Sequence, residues 1–199
     1  SITSVSLDLF KYKTLDQFQF QTVAWVIEQL CQLSEVIDIK RVSFPIEETS
    51  RIDNPKTVDA VISILTKICK VYRNRDFKIA IETDLSTDSI YKILQIEGME
   101  SIGIVLDTGN TASNGYKLED YFQKIPEKIY GIHIKDRILG CGPSVKLGEG
   151  SAKFLNFREF MSKCKNLNDI TLQAFRSDNN YINDAIDARD FVLDLLNKG

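Results

Sequence analysis

The sequence is poor in the features that set unusual proteins apart. It holds a single histidine, His133, among 199 residues, so any chemistry that needs an imidazole rests on that one residue. Cysteine is scarce. Cys31, Cys69, Cys141 and Cys164 are the four, they form no C-x-x-C pair, and a disulfide framework is not expected in a chain of this length. Cys31 and Cys69 fall in apolar helical patterns and read as small buried hydrophobes. Cys141 lies in the loop Gly140-Cys-Gly-Pro143, where exposure is expected. No apolar run reaches the ~20 residues of a membrane span. The opening stretch, Ser1 to Asp8, has no basic region before an apolar core, so no signal peptide is expected. Long Lys/Arg runs are absent too. The net charge is -3 and the pI about 5.3, which argues against a nucleic-acid partner. A cytoplasmic location fits these absences. No Pro/Gly/Ser-rich linker interrupts the chain, and a single domain over residues 1–199 is expected.

What the chain does have is ordinary core material, 43% hydrophobic and 27% charged, arranged in alternating strand-like and helical stretches. Ile2–Phe10 reads as a strand and Phe20–Val36 as a helix. Ile39–Ile46 is a strand. Asn54-Pro55 reads as an N-cap followed by proline at the first helical position, opening a helix with Val58, Val61, Ile62, Leu65, Ile68 and Val71 on one face. Phe77–Glu82, Ser101–Asp107, Tyr130–Asp136 and Asp169–Phe175 read as further strands. Helices are expected at Ser86–Ile96, Leu118–Ile129 (bent or ended by Pro126), Asn156–Cys164 and Ile182–Leu196. About six βα units in strict alternation imply a parallel sheet covered by helices. A doubly wound sheet and a barrel both fit that count, although a barrel is normally built from eight units over ~250 residues.

Four strands end on a coordinating or acid/base side chain: Glu82, Asp107, His133 and Gln173. In a parallel barrel these ends converge on one face, where active sites lie. Side chains alternate along a strand, so Glu82 shares a face with Ala80, Asp107 with Val105 and Gly103, His133 with Gly131, and Gln173 with Thr171. Two carboxylates, an imidazole and an amide oxygen suit a divalent cation. Oxygen-rich ligands favour Mg²⁺ or Mn²⁺, and the imidazole admits Co²⁺ or Zn²⁺. Each residue alone also has a plainer reading. An acidic or amide strand end is often a solvated edge or a helix cap, and a lone strand histidine is often a hydrogen-bonded core residue.

The ordered set Ile81-Glu-Thr83, Leu106-Asp-Thr-Gly-Asn110, Gly131-Ile-His-Ile-Lys-Asp136 and Lys146-Leu-Gly-Glu-Gly150 resembles the xylose-isomerase-like sugar (phosphate) isomerase/epimerase family. Asp107-Thr-Gly-Asn110 followed by Thr111-Ala-Ser-Asn-Gly115 looks especially like the pentulose-phosphate epimerase branch. The resemblance implies a parallel (β/α) TIM-type barrel. The first strand here matches best the third of the family, so about two βα units are expected to be missing from this chain, cut away or supplied by a partner. It implies a metal held by Glu82, Asp107 and His133. Gln173 stands where the family has a glutamate that serves as ligand and base. Glutamine can ligate through oxygen but cannot be a general base. The resemblance further implies Glu82 as the proton-transferring base, with Glu149 a substitute acid or merely a loop carboxylate. It points to substrate contacts from Asn110, Lys135, Asp136, Arg137, Lys146 and Arg176; a phosphate could be held by Lys135, Arg137, Lys146 or Arg176 with loop amides, and Asn110 beside Asp107 could equally orient a ligand or serve the turn.

The function so implied is a metal-dependent isomerase or epimerase of a sugar or sugar phosphate, working by proton transfer beside a metal-polarised carbonyl. The partner is then a small molecule, and a homo-oligomer is allowed. The alternative is a catalytically impaired carbohydrate-binding barrel, which Gln173 keeps open. The related apurinic-site endonucleases resemble this fold but need several metal-binding histidines, which this chain lacks.

Overall fold

A computed structural model describes residues 4–8, 20–47, 50, 52, 54–72 and 77–197, with the backbone alone at Phe20 and Val71. The chain divides into two compact units, Ser1–Val105 and Leu106–Gly199.

The first unit holds β1 (Ser4–Ser6), α1 (Phe20–Ser34), β2 (Arg41–Ile46), α2 (Pro55–Tyr72), β3 (Lys78–Thr83), α3 (Thr87–Leu94) and most of β4 (Ile102–Asp107). Its strands pair in parallel in the order β1-β2-β3-β4. Of the expected strand Ile2–Phe10, residues 2, 3, 9 and 10 lie outside the described part. All six residues of β2 are buried, as a parallel strand covered on both faces requires. Helix α1 buries Val23, Ile27, Leu30 and Cys31; in α2 the expected Val61, Leu65 and Ile68 are buried and Val58 and Ile62 are half-buried, while Ile64, Cys69 and Tyr72 are buried beside them. Each fully buried aliphatic side chain contributes roughly 1.5–3 kcal/mol. Helix α2 starts as the sequence indicates. The Asn54 side-chain oxygen accepts from the Lys56 and Thr57 amides at 3.0 and 3.1 Å, and Pro55 follows. Ser86 caps α3 through the Ser89 amide.

The second unit contains the end of β4, then α4 (Thr108–Ser113), α5 (Leu118–Lys124), β5 (Ile129–Ile134), β6 (Asp136–Arg137), β7 (Ser144–Val145), α6 (Phe157–Ser162), β8 (Asp169–Leu172) and α7 (Tyr181–Asn197). Strand β5 pairs in parallel with β8. Several features differ from expectation. The helix expected to reach Ile129 stops at Lys124, because Pro126 has no N–H to give and disfavours helix before it; a 3₁₀ turn, Pro126–Lys128, follows. The strand expected to run to Asp136 stops at Ile134, and Asp136–Arg137 pair antiparallel with Ser144–Val145. Strand β8 stops at Leu172. Helix α4 was not expected at all. An aromatic chain binds α5, α6 and α7. Phe122 stacks on Phe160 and meets Phe157 edge-on, Phe157 meets Phe154, and Phe154 meets Phe191, with centroids 5.6–5.7 Å apart.

The cysteines divide as their surroundings dictate. Cys31, Cys69 and Cys164 are buried and Cys141 is exposed. Burial pushes the Cys164 thiol up to about 11. Alkylation of the native protein at neutral pH is therefore expected to mark Cys141 first, and the other three only after unfolding. Mass spectrometry of labelled peptides checks this, and early labelling of Cys164 would contradict it.

Candidate metal centre

In the first unit Glu82 lies next to the end of β3, 5% exposed and in register with Val105 of β4. Pro45 of β2 stands in register on its other side, so the ladder lacks one N–H at this level. Strand β4 continues from Val105 through Leu106 to Asp107. Alternation along a strand puts Val105 and Asp107 on the same face.

In the second unit Asp107 closes β4 and caps α4. Its Oδ1 accepts from the Asn110 amide at 2.7 Å, so the helix-cap reading holds for one oxygen. The other, Oδ2, lies 4.0 Å from Lys135 Nζ. Thr108 bolts this corner to the end of β5. Its hydroxyl donates to the Lys135 carbonyl at 2.6 Å and accepts from the Lys135 amide at 3.0 Å. Gly109 is required here, because a Cβ would meet Lys135 Cγ at 2.9 Å. The ends of β4 and β5 are thus held side by side. His133, next to last in β5, is buried. The Gln173 amide continues the ladder by donating to the Ile134 carbonyl at 2.9 Å, and its side-chain Nε2 lies 3.0 Å from His133 Nδ1. In this orientation the amide donates and Nδ1 accepts. Turned over, the same side chain presents an oxygen. A glutamate could only accept.

The other candidate residues have these partners and surroundings. Asp136 is 1% exposed, and both its oxygens are taken by backbone N–H groups. Oδ1 accepts from Arg137 and Ala152, and Oδ2 from Gly148 and Gly150, at 2.9–3.0 Å. Asp136 therefore shapes the loop Lys146-Leu-Gly-Glu-Gly150 from beneath. Arg137 donates to Asn110 Oδ1, the Gly142 carbonyl and the Cys141 carbonyl. Lys146 pairs with Asp184 at 3.2 Å and Asp187 at 3.3 Å on α7. Glu149 is exposed and lines a hollow of about 170 Å³ with Lys146, Phe175, Asp184 and Phe191. Arg176 is exposed.

Sequence reasoning overlooked Thr108, whose bolt to Lys135 has no spacing signature. It also overlooked the contact of Asp184 with Ser177. The Ser177 hydroxyl and amide both bond the Asp184 carboxylate. These bonds, then Lys146, hold that carboxylate below its usual range. Lys146 is correspondingly raised by Asp184 and Asp187. A depressed carboxylate adds stability that is present above the unfolded pKa of ~3.9 and lost as pH falls through the folded value. A raised amine adds stability that is present below ~10.4 and lost as pH rises through its folded value. The attachment of the Lys146 loop to α7 should hold between these limits. Asp184→Asn is expected to flatten the acid-side loss of thermal stability, and an unchanged acid limb would contradict that.

A family model described as xylose isomerase-like TIM barrel matches residues 2–186. The chain belongs to this family. The parallel (β/α) TIM-type architecture expected from the sequence is therefore its fold. Among solved structures it is similar to the IolI protein with a bound zinc atom, at 16% identity and TM-score 0.78, covering 98% of this chain and 76% of that one. It is also similar to a sugar phosphate isomerase/epimerase from Parabacteroides distasonis, at 12% identity and TM-score 0.73, covering 99% and 72%. A third is a probable 3-DHS dehydratase, AsbF, of petrobactin synthesis from Bacillus anthracis, at 15% identity and TM-score 0.71, covering 96% and 76%. No curated protein matches the chain. At these identities the likeness is one of fold, and these neighbours differ in the reaction named for them. No described helix is long and apolar enough to cross a membrane.

Proposed function

We propose that Glu82, Asp107 and His133 hold one divalent cation, and that the chain isomerises a sugar or sugar phosphate by moving a proton beside its carbonyl group. The observation that carries this reading is the buried Asp107–His133 corner, fixed by Thr108 and Gly109, on the strand that also borders Glu82. Glu82 and Asp107 each offer a carboxylate oxygen and His133 a ring nitrogen. This donor set suits Mn²⁺ or Mg²⁺ and admits Co²⁺ or Zn²⁺; the zinc-bound neighbour supports the last. When bound, the cation supplies Lewis-acid polarisation of the substrate carbonyl and the adjacent hydroxyl.

Glu82 then serves as the base that carries a proton between neighbouring carbons on one face of the substrate. Gln173 cannot take a proton, so the two-base route of an epimerase lacks its second base. A single base still permits aldose–ketose isomerisation, and it permits dehydration as well. Arg137 is held by an amide oxygen and two carbonyls and Lys146 by two carboxylates; the exposed Arg176, and Lys135 with its long 4.0 Å pairing to Asp107, are the candidates for a phosphate. Asn110 and Asp136 likewise spend their side-chain oxygens on Arg137 and on loop amides. A second reading, a carbohydrate-binding barrel without turnover, is favoured by one observation: the neutral amide of Gln173 beside His133.

The test is to incubate the protein with Mn²⁺ and a panel of free and phosphorylated ketoses and aldoses in D₂O. Deuterium entering at the carbon beside the carbonyl, or product forming, is expected for at least one class. Saturable sugar binding with no exchange and no product would leave the second reading standing. Gln173→Glu is expected to tighten divalent-cation binding by about tenfold or more, since a full charge a few ångströms from an ion is worth several kcal/mol before desolvation. Equal or weaker binding would count against Gln173 as a neighbour of the cation.

A further inference from the structure

We infer that Arg137 and Asn110 are positioning residues for the Asp107 carboxylate, through which the Gly140–Gly142 loop sets the geometry of the cation site. The inference rests on the reading of Asp107 as a metal ligand. It reassigns Arg137, whose sequence context pointed to substrate or phosphate, and selects for Asn110 the ligand-orienting role among those its sequence context allowed.

Asp107 Oδ1 is held by the Asn110 amide. Asn110 is in turn held from its own side chain: Oδ1 accepts from Arg137 Nη1 at 2.8 Å. The guanidinium extends the chain of bonds outward, with Nε to the Gly142 carbonyl at 3.0 Å and Nη2 to the Cys141 carbonyl at 3.2 Å. The same loop grips the far end of α4, where the Gly140 and Cys141 amides both donate to the Ser113 carbonyl, at 2.8 and 3.1 Å. The loop therefore holds α4 at its first turn through Arg137 and at its last turn directly. Helix α4 has only six residues, Thr-Gly-Asn-Thr-Ala-Ser, and most are weak helix formers. Its position comes from these bonds together with the Thr108–Lys135 pair at its first residue. If its first turn moves, the carboxylate that caps it moves too, and Oδ2 swings relative to the His133 ring on the neighbouring strand. A guanidinium fits because its planar fork reaches an amide oxygen and two carbonyls at once, which a lysine ammonium does not. With those three donors engaged, Arg137 is poorly placed to clamp a phosphate.

Two measurements on the intact chain test this. The first needs no metal: amide hydrogen exchange in wild type, Arg137→Ala and Asn110→Leu. Faster exchange is expected at Asn110, Asn114 and Gly140–Gly142, with the β5 and β8 amides unchanged. The second is Mn²⁺ affinity together with the visible spectrum of the Co²⁺-loaded protein. Arg137→Ala, Arg137→Lys and Asn110→Leu are expected to weaken Mn²⁺ by about tenfold or more, as loss of an outer hydrogen bond to a ligand does, and to shift the Co²⁺ bands. Asn110→Asp keeps an acceptor for Arg137 and should stay near wild type in amide exchange. Unchanged exchange at these amides in Arg137→Ala overturns the inference, as does wild-type affinity with an unaltered Co²⁺ spectrum. A variant in which only the KM for substrate rises would return Arg137 to substrate contact and also overturn it. If wild type takes up no cation, the metal reading itself fails, and the exchange experiment still decides whether Arg137 holds α4.

Discussion

Glu82→Gln is expected to slow proton exchange and product formation by about 10²- to 10⁴-fold, the range supplied by a positioned general base. Glutamine is close in size to glutamate and keeps a carbonyl oxygen for the cation, but it cannot accept a proton. Cation binding should therefore survive, weakened by the loss of one charge, while turnover collapses. That split separates a base from a mere ligand. Glu82→Ala loses both and cannot make the distinction. Retained turnover in Glu82→Gln would show that another group moves the proton. Glu149→Gln is the control: Glu149 is exposed on its loop, and near wild-type turnover is expected from its amide.

Asp136→Ala is expected to be the most disruptive change to stability in the second unit. It leaves the Arg137, Gly148, Gly150 and Ala152 amides without their acceptor. A buried donor left unsatisfied costs about 1–3 kcal/mol, and water reaching the opened loop recovers part of it. A net loss of roughly 3 kcal/mol is expected, which lowers the melting temperature of a chain this long by about 10 °C. Asp136→Asn keeps one oxygen and should lose less. Gly150→Ala should fail for a steric reason, since its Cβ would press into the Asp136 carboxylate. Thermal melts of the three variants rank these costs. An Asp136→Ala protein as stable as wild type would show that the four bonds contribute nothing net.

The strands and long helices were legible because burial imposes a period. An apolar, β-branched-rich run as short as Ile102–Leu106 of β4 reads as a buried strand, and a stripe such as Val61–Leu65–Ile68 reads as a helix face. The polar residues at the strand ends were legible for the same reason, being exceptions within apolar runs. What remained hidden depends on bonds between loops. Helix α4 has almost no propensity in its favour, and its signal is one cap, Asp107, three residues before Asn110. Asp136, Arg137 and Lys146 look in sequence like charges available to a substrate. Their partners are backbone amides and carbonyls, the Asn110 side chain and acids of α7, and none of these is marked by spacing. Gln173 was legible as an exception among carboxylates, yet its bond to His133 follows only from the pairing of β5 with β8.

The central claim is that His133 and its neighbours bind a divalent cation. Calorimetric titration of Mn²⁺ into the wild-type chain and into His133→Ala, both shown to be folded by circular dichroism, tests it most directly. One saturable site per chain in wild type, absent or weakened by about a hundredfold or more in the variant, is the predicted result, being a larger loss than removal of an outer-shell partner causes. No saturable site in the folded wild type, or equal binding by both proteins, would contradict it.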